Sequence, residues 1–395
     1  MITDRQWTAL LDTRATDPAA IRRAYQARRR RTQLLSDQGT LFLVAADHPA
    51  RGALGVGADP LAMADRRSLL DRLLTALANP AVDGVLGTPD VIEELLLLDG
   101  LHDKVVIGSM NRGGLAGADW EIDDRFTAYD PTSIAGNGLD GGKMLLRLVD
   151  SDAGTVPTLE GCAAAVSALA ERGLMAMVEP LPYARNAAGE LVLQRDAAAL
   201  ARAGSVAAGL GVTSAFTWLK LPPSPDEVLG ATTLPALVLG GVPSARLSDD
   251  LASWGRSLRH PTVRGLVIGR ALLYPPDGDV AAAVDAAARV LRTAREVARS
   301  GDEDGNRDGD GDGGRGGDGG GGGGGGAARS GGGGRVVGQV RQGQVEQDQV
   351  EQGHVEQGQA EQGQAEQGQA EQGHVEQGHV ERGEADGRMG KGGAG

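Results

Sequence analysis

Eight short apolar runs recur along the first 298 residues, and stretches of helical periodicity separate most of them. The runs lie at 41–46, 82–86, 105–109, 143–148, 175–179, 216–221, 236–239 and 265–268; helical patterns occupy 65–78, 90–98, 158–172, 195–210, 245–258 and 279–298. A strand that is apolar at successive positions, rather than alternate ones, is buried on both faces, as in a parallel sheet covered by helices. Eight such units close into a barrel, so the predicted fold class is α/β, a (β/α)8 TIM barrel. The rival is an open, doubly wound sheet, which carries a glycine-rich turn after its first strand. Here the first run leads into Asp47-His48-Pro49-Ala50-Arg51-Gly52, which is no dinucleotide fingerprint. Two places fit less well: 126–130 reads as an extra short strand within a long loop over 111–130, and the helix between the sixth and seventh runs is short, at 225–231. Residues 4–36 read as helical, with the basic run 28–31 as a solvated end.

The composition changes sharply near residue 300. The expected organisation is a barrel domain over 1–298 and, over 299–395, a disordered Gly/Asp-rich linker followed by a Glu-Gln-Gly pentapeptide-repeat tail. Residues 301–395 hold 18 acidic and 8 basic residues, and residues 319–326 are an unbroken glycine run. Such a segment buries too little apolar surface to offset its backbone entropy. Its alternating aspartates lack the spacing of a calcium loop. The chain's net charge of −14 is therefore mostly the tail's, and the body, with 35 acidic against 31 basic residues, is near neutral. A near-neutral body without a basic stripe argues against nucleic-acid binding. No apolar stretch approaches the ~20 residues a membrane span needs, and residues 1–31 hold no signal-peptide core, so a cytoplasmic location is expected. Cys162 is the only cysteine. The histidines are scattered, so neither a metal site nor a cofactor is expected.

In a (β/α)8 barrel the chemistry belongs at the C-terminal ends of the strands. Those ends carry Asp47 and His48 on the first run, Ser109, Asn111 and Arg112 on the third, Lys143 and Arg147 on the fourth, and Glu179 and Tyr183 on the fifth. The sixth carries Lys220, the seventh ends in Gly240-Gly241 and the eighth in Gly269-Arg270. Lys220 stands out because 35 of the 39 basic residues are arginine and the body has just three lysines, Lys104, Lys143 and Lys220. A lysine beside Trp218, Leu219 and Leu221 either snorkels to water or is desolvated. Desolvation lowers its pKa, and a neutral amine can attack a carbonyl to form a Schiff base. Gly240-Gly241 permits close backbone approach, and Gly269-Arg270 adds a guanidinium fork suited to phosphate; barrel phosphate sites typically use these two loops. Lys143 would keep Lys220 neutral or hold substrate oxygens, and Glu179 would shuttle protons.

These residues resemble the class I aldolases of the tagatose-bisphosphate and archaeal fructose-bisphosphate type. The resemblance rests on Ala46-Asp47-His48-Pro49-Ala50-Arg51-Gly52, Lys143-Met144-Leu145-Leu146, Glu179-Pro180-Leu181-Pro182-Tyr183, the strand-six Lys220 and the Gly269-Arg270 pair. The run Thr217-Trp218-Leu219-Lys220-Leu221-Pro222 is similar to the aldolase domain of bacterial inositol catabolism. It is also similar to that domain's free-standing actinobacterial relatives, often labelled deoxyribose-phosphate aldolases. The resemblance covers about residues 35–275. It implies a metal-independent lyase that cleaves 2-deoxy-5-keto-gluconate 6-phosphate to dihydroxyacetone phosphate and malonate semialdehyde. Lys220 would form the Schiff base, with Glu179, Asp47 and Lys143 in the catalytic set. Gly240, Gly241, Gly269, Arg270, His48, Arg112 and Arg147 would bind the substrate, Arg112 at its carboxylate. The partner implied is a small sugar phosphate, and a homo-oligomer is compatible with it. Other readings are an aldolase for another ketose phosphate or for deoxyribose 5-phosphate, and a barrel that binds sugar phosphates without catalysis.

Overall fold

A computed structural model describes the backbone of residues 1–305 and the side chains of residues 1–297. The repeat tail and nearly all of the linker lie outside the described residues. The chain opens with two helices, α1 (Asp4–Thr16) and α2 (Ala19–Ala27), not one. A capping box between Thr3 and Gln6 starts α1. Pro18 separates the two helices, because proline removes a backbone donor and suits a first turn rather than an interior.

The strands follow as β1 (Leu41–Ala45), β2 (Gly84–Gly87), β3 (Val105–Ser109), β4 (Gly141–Leu148), β5 (Met175–Arg185), β6 (Leu191–Leu193), β7 (Thr217–Leu221), β8 (Ala236–Leu239) and β9 (Val263–Ile268). The helices between and after them are α3 (Arg66–Ala78), α4 (Pro89–Leu97), α5 (Pro131–Gly136), α6 (Thr155–Ala170), α7 (Ala197–Ala208), α8 (Asp226–Leu229), α9 (Leu247–Ser257), α10 (Arg270–Leu273) and α11 (Val280–Gly305). All strands except β6 pair in parallel, and the ring closes through β1–β9 and β4–β5. The result is the TIM barrel that the apolar runs predict. The segment 126–130 is not a ladder strand; Asn111 and Phe126 form an isolated antiparallel bridge inside the β3–α5 loop. What the apolar runs do not show is the length of β5. It continues through Pro180 and Pro182 to Arg185 and turns back as β6, which pairs with it antiparallel.

Strand alternation sorts the side chains into two clusters. Leu41, Leu43, Ala45, Leu86, Val105, Ile107, Met175, Met177, Leu237 and Val267 pack together inside the barrel. Their neighbours Phe42, Val44, Met144, Leu146, Val178, Leu219 and Leu266 face the helices. The inward set, continued by two residues per step, reaches Asp47 from β1, Ser109 from β3 and Glu179 from β5, and it places Lys143 on β4 and Lys220 beside Trp218 on β7. The barrel's own periodicity therefore gathers these polar groups at one end.

At the opposite end the basic run is solvated only in part: Arg29 and Arg30 are exposed, whereas Arg28 and Arg31 turn onto the barrel. Arg28 is buried, donates to the carbonyls of Lys104 and Gly138, and lies 3.5 Å from Asp140. Arg30 reaches Asp140, and Arg31 reaches Asp83 at 2.5 Å. The chain after α2 is pinned in an extended course across the barrel floor because those carbonyls and carboxylates stand there. Arg28→Met is expected to lower the unfolding free energy by about 2 kcal/mol, since it strands buried acceptors. A urea midpoint indistinguishable from wild type, at equal slope, would refute this role.

Candidate active site

The C-terminal ends of the strands surround a cavity of about 460 Å³. Ten of the eleven side chains and glycines expected from sequence line it: Asp47, His48, Arg112, Lys143, Glu179, Lys220, Gly240, Gly241, Gly269 and Arg270. Arg147 does not. A larger surface groove, between the start of α8 and the end of α9, contains none of these residues.

At the floor, one carboxylate is gripped by two lysines. Lys220 Nζ donates to Glu179 Oε1 at 2.6 Å, and Lys143 Nζ sits 2.5 Å from Glu179 Oε2. Lys143 also lies 3.3 Å from Asp47 Oδ2, which Arg112 pairs with in turn. Ser109 Oγ donates to Asp47 Oδ2 at 3.1 Å and accepts from Arg112 Nε at 2.9 Å. All six groups are buried. Two carboxylates here face three cations, Lys143, Lys220 and Arg112, so the cluster is neutral only when one amine gives up its proton.

The electrostatics follow that count. Burial opposes ionisation of Glu179, but the two lysines overcome it and hold its pKa far below the usual carboxylate range. Burial lowers both lysines; Glu179 opposes the shift of each, and Arg112 adds to it. Burial also lowers the Arg112 guanidinium to about 10. Lys143 stands between two carboxylates, whereas Lys220 has one carboxylate, which it shares. Burial drives Lys143 further below its ordinary value than Lys220, and both amines are brought towards the neutral form. Burial, with Arg270 and Lys220 near by, holds His48 in its neutral form; its Nδ1 lies 3.8 Å from Asp47, beyond hydrogen-bond reach.

The remaining arginine has another task. Arg147 occupies the inward position beyond Leu145 on β4, but its guanidinium turns into the β3–α5 loop. It forms a fork on Asp124, with two contacts of 2.8 Å, reaches Glu121 Oε1 at 3.0 Å, and donates to the carbonyls of Gly114 and Glu121. With these partners in place it is a loop anchor and not a ligand of the cavity. Arg112 is likewise committed to Asp47 and Ser109, which argues against it as the holder of a substrate carboxylate. Asn111 anchors the same loop, its side-chain amide exchanging hydrogen bonds of 2.6 and 2.7 Å with the Leu145 backbone.

The opposite wall is shaped for close approach. Gly241 has φ +67°, a left-handed conformation that favours glycine, and a Cβ on Gly269 would lie 2.7 Å from the Ala45 carbonyl and 3.0 Å from the His48 ring. Sequence reasoning named Tyr183 at the end of the fifth run but missed the β5–β6 hairpin that carries it, which adds Leu193 and Arg195 to the lining. The turn Asn186-Ala187-Ala188-Gly189 followed by Leu191-Val192-Leu193 is the signal that could have found it.

The fold has relatives among solved structures. A Schiff-base-forming fructose-1,6-bisphosphate aldolase is 17% identical, with a TM-score of 0.51, over 65% of this chain and 96% of that one. An archaeal fructose-1,6-bisphosphate aldolase, with its catalytic lysine covalently bound to the carbinolamine intermediate, is 18% identical with the same score and coverage. At such identities the likeness is one of fold, an aldolase-like barrel. No curated protein matches the chain. Cgl0159 from Corynebacterium glutamicum, known as a crystal structure, is 48% identical over 74% of this chain and 99% of its own, with a TM-score of 0.72. The Cgl0159-like family matches residues 39–288, from just before β1 into α11. The barrel and its whole strand-end cavity fall inside that match, and the chain belongs to the Cgl0159-like family.

Proposed function

We propose that this protein is a class I aldolase that cleaves a phosphorylated keto sugar acid through a Schiff base on Lys220. The substrate proposed is 2-deoxy-5-keto-gluconate 6-phosphate, the products are dihydroxyacetone phosphate and malonate semialdehyde, and the setting is cytoplasmic inositol catabolism. The observation that carries the reading is the buried Lys220–Glu179–Lys143 arrangement, with 2.6 and 2.5 Å contacts at the floor of a strand-end cavity. Neutral Lys220 attacks the C5 ketone to form a carbinolamine, which expels water to give a protonated imine. Glu179 lies within reach to carry those protons. With the C3 hydroxyl deprotonated towards Asp47, the C3–C4 bond breaks and its electron pair moves into the imine, forming an enamine and freeing malonate semialdehyde. Protonation at C4 and hydrolysis of the imine release dihydroxyacetone phosphate and restore Lys220. Gly240, Gly241, Gly269 and Arg270 are the proposed phosphate wall.

Borohydride reduction in the presence of dihydroxyacetone phosphate tests the reading. One covalent adduct is expected, on the peptide that contains Lys220, with protein incubated without ketone left unmodified. An unmodified protein under trapping conditions would favour a barrel that binds sugar phosphates without cleaving them. An adduct together with cleavage of deoxyribose 5-phosphate, but not of the keto acid, would replace the proposed substrate and keep the mechanism.

A further inference from the structure

Arg51 stands in the same cavity wall as Arg270. The two come from opposite ends of the chain. Arg51 ends the short turn of 3-10 helix Pro49–Arg51 after β1, and Arg270 begins α10 after β9. They line one wall, close enough for their charges to interact, because β1 and β9 are neighbours in the closed ring. Arg270 Nη1 reaches the Gly55 carbonyl at 3.4 Å, a long contact to the loop that follows Arg51. Arg51 Nη2 donates to Glu121 Oε1 at 3.0 Å, an oxygen that Arg147 also uses. Among the described residues, the Nε of Arg51 and the Nε of Arg270 are both buried without a hydrogen-bond partner. Burial lowers the pKa of each, and the charge of Arg51 adds to the effect on Arg270. Arg51 shares the Glu121 carboxylate with Arg147, and among the described residues Arg270 has no carboxylate partner, so cationic charge in this wall is left to be balanced by something that enters the cavity.

We infer that Arg51 and Arg270 form a two-guanidinium clamp for the phosphate dianion of the substrate, with Arg51 setting the preference for a phosphorylated over an unphosphorylated ketone. This rests on the aldolase reading and adds a specificity residue to it. A phosphate presents three terminal oxygens to two planar forks, and charge-assisted contacts of this kind are the strong ones. Gly269, lying against Ala45 and His48 where a side chain would not fit, brings the Arg270 backbone into the same wall. Removing Arg51 leaves Glu121 paired with Arg147, so the loop keeps its anchor.

The test uses calorimetric titration of the full chain with inorganic phosphate, and trapping with dihydroxyacetone and its phosphate. Wild type is expected to bind phosphate, R51M and R270M to bind it about ten- to a hundredfold more weakly, and R51K to recover part of the loss. In trapping, R51M is expected to reduce the preference for the phosphorylated ketone about tenfold or more. The clamp is overturned if wild type binds no phosphate, or if R51M binds it as wild type does. An unchanged ketone preference would equally remove Arg51 from the role. If wild type traps neither ketone, the Schiff-base reading fails, and the calorimetry still decides the clamp.

Discussion

Lys220→Met is expected to abolish cleavage, with turnover falling about a thousandfold or more, as is usual when a covalent nucleophile is lost. The fold should survive. The floor cluster carries two carboxylates against Lys143, Lys220 and Arg112, so losing one lysine removes the surplus charge. Glu179 keeps Lys143, and methionine fills much the same volume beside Trp218. The informative control is Lys143→Met. It leaves Lys220 as the sole lysine on Glu179 but takes a cation from Asp47, and it should retain some borohydride adduct while losing much of its turnover. The measurements are steady-state cleavage, trapped mass and thermal melting on both variants. An adduct that persists in Lys220→Met, and disappears in Lys143→Met, would move the nucleophile to β4.

The fold was legible because burial on both faces leaves a plain mark in the sequence. Strands β1 and β8 read as unbroken apolar runs, and the spacing of the runs left room for the helices that cover them. What escaped notice has local causes. Prolines 180 and 182 look like strand terminators, yet β5 passes through them because the segment lies at the rim, where the ladder runs against β4 and then β6. The basic run 28–31 looks like surface because its partners, Asp83, Asp140 and two backbone carbonyls, are brought to it only by the closed barrel.

The site divided along the same line. The C-terminal end of a strand is a local feature of the sequence, and it gathered Asp47, Lys143, Glu179 and Lys220 at one rim; strand parity in the structure then sorts the neighbours of each. It also shows that Leu219 and Leu221, which seem in sequence to surround Lys220, face the helices, while Trp218 shares its side. Arginines are harder to read. A long side chain can reach partners on any neighbouring loop, and sequence does not say which loop carboxylates arrive there. Arg112 and Arg147, expected on the substrate, are held by Asp47 and Asp124.

That last pair gives the second large effect. Arg147→Met is expected to destabilise the protein by about 3–5 kcal/mol, because it leaves the Asp124 carboxylate buried with neither of its fork partners. For a domain of this size that corresponds to a fall in melting temperature of roughly 6–20 °C. Activity should fall as well, though less than in Lys220→Met. The loop from Asn111 to Asp130 carries Arg112, and Arg112 holds Asp47 beside Lys143. The double variant Arg147→Met/Asp124→Asn removes the stranded charge and should regain much of the stability, since eliminating both members of a buried pair costs far less than eliminating one. It should regain less of the activity, because the carbonyls of Gly114 and Glu121 still lack their donor. A single variant that melts within about 2 °C of wild type, a shift worth no more than ~1 kcal/mol, would show that Asp124 is not held by Arg147 in solution. It would also return Arg147 to the set of side chains free to meet a substrate.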